Sequence, residues 1–154
     1  MKPRRFPSFL RRNAPTAGEP DALAALEQRL EAVEQHLRLL SVEPEIAAAQ
    51  RALGRASDCV EAWDDLDAGL AEWEAAVARW SAAVARLDPA CTPATEPAGS
   101  DELRVARALL PPTVNLSSRD LRAAIAYIAQ RERVVASWQR VEAFRARITP
   151  KVGG

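Results

Sequence analysis

The sequence predicts an all-α protein, an elongated antiparallel helical bundle or coiled coil of three main helices plus one short helix. Hydrophobic residues make up 48% of the 154 residues, but 32 residues are alanine, a strong helix former that buries little apolar area. Large apolar residues recur at alternating spacings of three and four, which is typical of helices paired along a seam. Most prolines lie at the ends of the predicted helices.

Residues 1–18 are predicted to form an extended basic arm, with five positive charges and no negative charge. Three interpretations stay open: the arm has no role, it contacts nucleic acid or an acidic membrane, or it lies on a neighbouring subunit. The arm residues that would bind a partner are Arg4, Arg5, Phe6, Phe9, Leu10, Arg11 and Arg12. No apolar segment follows the first arginine pair, so we expect no secretion signal. The expected location is cytoplasmic or within a cytoplasmically assembled particle.

Helix one is predicted at about residues 20–41, because Glu19-Pro20-Asp21 combines an N-terminal proline with acidic residues. Its large apolar residues form a heptad seam: Leu23, Leu26, Leu30, Val33, Leu37 and Leu40. A turn is predicted at 41–45, where Pro44 begins the next helix. Residues 19–88 are therefore expected to form a helical hairpin.

Helix two is predicted at about residues 44–88, with no proline after its first residue. The apolar spacing lapses between Val60 and Leu66, and residues 64–69 contain few helix formers, which marks a candidate break. An unbroken helix of this length would extend about 67 Å, against a diameter of about 40 Å for a compact domain. Either the helix breaks or the molecule is a rod, with helix one and the last helix each covering one half of helix two.

Residues 89–99 are predicted to form a linker, and residues 100–148 a short helix followed by a long C-terminal helix. Ser100-Asp101-Glu102 begins the short helix, which Pro111-Pro112 ends. Ser117 and Asp120 have the spacing of a capping box, so the last helix is expected from about Ser118 to Ile148. Residues 149–154 are expected to form a tail.

Charge is segregated along the chain although the formal net charge is zero. Residues 19–99 carry 16 acidic and 6 basic residues, and residues 100–154 carry 5 acidic and 10 basic residues. Such asymmetry indicates that charge organises pairing within the chain or between chains.

An arginine stripe is predicted on the last helix, formed by residues that share one heptad position: Arg119, Arg133, Arg140 and Arg147. On helix two, Asp58, Asp65 and Glu72 share another heptad position. We expect the arginine stripe to pair with these acids, at about 0.3–0.5 kcal/mol for each exposed pair. The alternative is that the arginines face outward and bind phosphates.

Three tryptophans lie on predicted helix two, namely Trp63, Trp73 and Trp80. Packing in the core is the simplest interpretation of their positions. Because the alanine-rich core is thin, they are also candidate anchors for a partner chain.

Other candidate sites have weak patterns. The carboxylates of Glu61, Asp64, Asp65 and Asp67 suit a hard cation chemically, but their spacing is not that of an EF-hand, and a solvated acidic face or helix break is expected instead. The only histidine, His36, has no obvious catalytic partner and is expected at the surface.

The two cysteines, Cys59 and Cys91, are too few for a disulfide scaffold and are expected to be free thiols in a reducing compartment. We expect no enzymatic activity, no metal and no cofactor.

The expected function is that of a non-enzymatic structural or adaptor subunit of a larger protein assembly, for example a virion or a multisubunit bacterial machine. Partners would be other proteins or further copies of the chain, bound through helical seams and the arm. The alternative is a nucleic-acid-binding accessory protein that uses the arm and the arginine stripe. No segment of the sequence has the length of a membrane span.

Overall fold

The computed structural model describes residues 19–148, and these form four α-helices and one 3-10 turn without any strand. The helices are α1 (Glu19–Val60), α2 (Leu66–Leu87), α3 (Ser100–Leu109) and α4 (Ser118–Ile148). The all-α prediction, with three long helices and one short helix, is confirmed. The predicted arm and tail lie outside the described residues.

Helix α1 is continuous through Pro44, so the turn predicted at residues 41–45 is wrong. Proline in a helix interior removes one hydrogen bond and costs about 3 kcal/mol. Here Val42 and Ile46 are both fully buried, and their spacing of four places them on one face of a helix. A turn at Pro44 would expose one of them, so burial offsets the cost of the proline.

The break between α1 and α2 lies at residues 61–65, next to the predicted break near residues 64–69. Trp63 has φ 60°, a left-handed conformation that is uncommon for a residue with a side chain. Asp65 then caps α2, because its carboxylate accepts a hydrogen bond from the Ala68 amide at 3.2 Å. At Gly69 an added Cβ would lie 3.0 Å from the Cα of Val60, so the two helices meet here at backbone distance.

The linker between α2 and α3 begins with a 3-10 turn at Pro89–Cys91, which the carboxylate of Asp88 caps. Both cysteines are free thiols, with Cys59 exposed and Cys91 buried. Helix α4 begins as predicted, because the Ser117 hydroxyl accepts a hydrogen bond from the Asp120 amide at 3.2 Å.

Side-chain pairs give the directions of the three long helices. Glu43 pairs with Arg145, and Glu61 with Arg131, so residues 38–60 of α1 run antiparallel to α4. The Glu45–Arg86 pair, together with the close approach of Gly69 to Val60, makes α1 and α2 antiparallel as well. Helices α2 and α4 therefore run parallel, which the long connection through residues 88–117 allows.

The core of this bundle comes from one face of each long helix. Its largest fully buried residues are Val42, Ile46, Val60, Trp73, Trp80, Val84, Leu87, Tyr127, Ile128 and Val141. The chain divides into two compact units, residues 1–37 and 38–154, and the bundle belongs to the second unit. None of the described helices is long and apolar enough to cross a membrane.

Candidate functional site

The leucine seam, defined as Leu23, Leu26, Leu30, Val33 and Leu37, is exposed along its whole length. Its side chains are 55–63% exposed, and Leu40, which continues the same spacing, is 56% exposed. Helix one was expected to bury this face, and the exposure of its side chains corrects that expectation. A row of large apolar side chains at heptad spacing without cover is a feature of interaction surfaces.

The apolar pattern of α1 changes after the leucine seam. A second stripe with the same heptad spacing follows on the helix and is buried: Leu39, Val42, Ile46, Ala49, Leu53, Ala56 and Val60. This core stripe is shifted by two residues relative to the leucine seam, since Leu39 and Val42 replace Leu37 and Leu40 in the pattern. The apolar pattern therefore changes its heptad position between Leu37 and Leu39.

Charged residues flank the leucine seam on both sides. With Leu23, Leu30 and Leu37 at heptad position a, Glu27 and Glu34 occupy position e, and Arg29 occupies position g. All three of these charged residues are exposed and none forms an ion pair with any other described residue. These side chains are available to a partner helix laid along the seam.

His36 lies beside the seam at another g position. It is half-buried rather than on the surface as expected, and its Nδ1 atom is buried without a hydrogen-bond partner among the described residues.

A partly buried polar network joins the end of α1 to α4. Glu61 Oε2 accepts hydrogen bonds from Ser57 Oγ at 2.6 Å and from Tyr127 Oη at 2.7 Å. Glu61 Oε1 accepts one from Arg131 at 2.8 Å. The Trp63 and Tyr127 rings form a T-shaped pair, with centroids 6.3 Å apart. Three donors bind the carboxylate, so the network is suited to holding the α1–α2 connection against α4.

The electrostatics of this network agree with that role. Burial alone would raise the pKa of Glu61, but the hydrogen bonds from Ser57 and Tyr127 and the charge of Arg131 outweigh it and lower the pKa. Burial is the main cause that raises the pKa of Tyr127, and the hydrogen bond to Glu61 adds to it. Glu61 is thus held ionised and Tyr127 protonated.

Sequence reasoning missed this network because its members come from helices about 70 residues apart. One signal was present, since Ser57 and Glu61 are four residues apart, as are Tyr127 and Arg131. Polar side chains at that spacing share one helix face.

The tryptophans Trp73 and Trp80 are core residues, 2% and 0% exposed, which corrects their predicted part in partner binding. Trp73 Nε1 donates to Gln130 Oε1 at 2.8 Å, and Trp80 Nε1 donates to Ser137 Oγ at 2.9 Å. The two residues in each contact are 57 positions apart in the sequence. Helices α2 and α4 therefore keep the same alignment over the heptad from Trp73 to Trp80. Trp63 is half-buried in the α1–α2 connection.

The arginine stripe of α4 does not reach the predicted acids. Among the described residues, none of Arg119, Arg133, Arg140 and Arg147 pairs with Asp58, Asp65 or Glu72. Instead Arg133 binds Glu102 of α3 and the carbonyls of Ala94 and Glu96, and Arg140 donates to the Thr92 carbonyl at 3.0 Å.

The other two arginines of the stripe are exposed. Arg119 approaches Asp67 at 3.6 Å, and Arg147 lies over the Phe144 ring. The linker and α3 cover α4 at Arg133 and Arg140, and this explains why these two arginines meet them rather than α2.

The acidic residues at the break have local roles. Asp64 accepts a hydrogen bond from the Asp65 amide at 2.8 Å, and Asp65 caps α2. Within residues 19–148, no three potential ligand side chains are arranged to hold a metal ion.

A groove of about 520 Å³ lies between α2, the linker and α4. Its polar rim includes Gln130 and Arg133, which are already hydrogen-bonded to Trp73 and to the linker. Two of its polar side chains are therefore already engaged within the chain.

Comparison with known proteins gives no match: no family model, no curated protein and no solved structure is similar to this chain.

Proposed function

We propose that the protein is a non-enzymatic structural or adaptor subunit of a larger protein assembly, and that the leucine seam is its docking surface. The observation that carries the proposal is the exposure of the seam residues beside a buried stripe on the same helix. Complete burial of a leucine side chain contributes about 1.5–3 kcal/mol. Covering five or six side chains that are more than half exposed is a substantial driving force for association.

The alternative, nucleic-acid binding through the arginine stripe, has less support. Arg133 and Arg140 donate hydrogen bonds to carbonyl groups of the linker, and the Arg133 side chain is only 17% exposed. The basic arm lies outside the described residues, so its part in partner binding stays a prediction. Nucleic-acid affinity would be measured by fluorescence anisotropy at low salt, where phosphate contacts are strongest.

The experiment that tests the proposal compares native complexes in the cells that make the protein. Wild-type chain is expected in a complex several times larger than 16.8 kDa on a native gel. The Leu26→Glu/Leu30→Glu variant is expected to leave that complex while its thermal unfolding is unchanged. Leu109→Glu, an exposed apolar residue on α3, is the matched control and should stay in the complex. Wild-type protein that migrates as a free single chain would refute the proposal.

A further inference from the structure

We propose that the partner of the leucine seam is a second copy of this chain, bound in parallel orientation as a coiled coil. This inference rests on the proposed function, since it names the partner of the same surface. The seam is self-complementary in composition, because leucine or valine occupies every a and d position from Leu23 to Leu37. Identical apolar layers of this kind pack knobs into holes when two copies align in register.

The charges beside the seam select the orientation. In a parallel pair, the residue at position g faces position e of the following heptad in the partner. Arg29 of each chain then faces Glu34 of the other, so symmetry creates two attractive pairs. In an antiparallel pair, e positions face each other, and Glu27 would meet Glu34 across the interface. Charge complementarity therefore favours the parallel arrangement.

The seam is long enough to hold a register. From Leu23 to Leu37 the helix rises about 21 Å, which includes two full heptads. Helix α1 continues to Val60, so the segment is part of a helix that already exists before association. Association of a preformed helix avoids the unfavourable nucleation that makes isolated short helices marginal.

The test is the association state of the purified full-length chain, measured by sedimentation equilibrium over a wide concentration range. Wild-type protein is expected to reach about twice the 16.8 kDa chain mass. Leu30→Glu should raise the dissociation constant about 100-fold or more, because it places two carboxylates in an apolar layer. Leu109→Glu adds the same charge outside the seam and should leave the dissociation constant unchanged.

Charge reversal tests the orientation. Arg29→Glu and Glu34→Arg should each weaken association about tenfold, and the double variant should restore it to near the wild-type value. In an antiparallel pair, Glu34→Arg would instead strengthen association, because the introduced guanidinium would face Glu27. That outcome overturns the parallel arrangement. All variants are checked for unchanged helix content by circular dichroism.

The outcomes also separate this inference from the proposed function. A purified chain that stays monomeric at about 100 μM, while its cellular complex still depends on the seam, overturns self-association and leaves the docking function intact. A purified chain that dimerises through the seam but forms no larger complex in cells supports self-association and removes the role in a larger assembly.

Discussion

The leucine seam of α1 and the tryptophan face of α2 are alike in sequence and opposite in environment. Both have large apolar residues at alternating spacings of three and four. Trp73 and Trp80 are buried, and each indole nitrogen donates to a side chain of α4. The leucines are more than half exposed within the chain. Heptad spacing alone therefore predicts that a helix face has a partner, but not where the partner lies. On α2 the partner lies within the chain, and polar side chains of α4 that accept the indole N–H groups identify it.

The largest effect is expected for Trp80→Ala on the buried side of the comparison. Trp80 is fully buried and stacks on Trp138 with ring centroids 5.6 Å apart. The substitution leaves a cavity and should lower the free energy of unfolding by about 3–5 kcal/mol. Urea denaturation followed by circular dichroism measures it. A loss below about 1 kcal/mol would mean that α2 does not use this face to pack.

A smaller effect is expected for Ser137→Ala. The Ser137 hydroxyl accepts from Trp80 Nε1 at 2.9 Å and donates to the Cys91 carbonyl at 2.6 Å, so its loss leaves two buried groups unpaired. We expect a cost of about 1–3 kcal/mol in unfolding free energy. The Trp80→Phe/Ser137→Ala double variant removes both partners of the first bond. It should cost less than the two single changes added together, and strict additivity would show that the bond contributes nothing.

The polar network should make part of the stability depend on pH. The pKa of Glu61 is lowered in the folded protein, so its contribution is present above its unfolded value of about 4.5 and is lost as the pH falls through the folded value. The difference in unfolding free energy between wild type and Glu61→Gln should therefore be larger at about pH 7 than at about pH 3. Glu74→Gln changes the same formal charge at an exposed site of α2 and serves as control. An equal difference at both pH values would contradict the network.

The smallest effect is expected on the exposed side, for Leu30→Ala. At concentrations where the chain is monomeric, this substitution removes a side chain that is 63% exposed and introduces the best helix former. The free energy of unfolding should change by no more than about 0.5 kcal/mol. A loss comparable to that of Trp80→Ala would mean that the seam is covered within the monomer.

Sequence patterns predicted the local structure well, and the long-range contacts poorly. Helix α4 begins and ends where its cap and apolar spacing indicate, because both signals are local. The turn at Pro44 was predicted from proline alone, and burial of Val42 and Ile46 overrides that preference. The partners of Arg133 are the linker and α3, which no heptad position identifies, since the path of the linker depends on tertiary packing. The Glu61 network was missed for the same reason.

The different exposure of the two thiols allows local opening of the linker to be measured by thiol labelling. Cys59 is exposed and should react with an aromatic disulfide reagent first, although a hydrogen bond with Glu72 raises the pKa of its thiol. Cys91 is 5% exposed where the linker lies on α4. Burial and the nearby Asp88 charge raise the pKa of the Cys91 thiol, which slows its intrinsic reaction as well. The slow second phase of the colour reaction is the labelling of Cys91, and its rate depends on how often the linker separates from the bundle. That rate therefore gives the free energy of local opening of the linker.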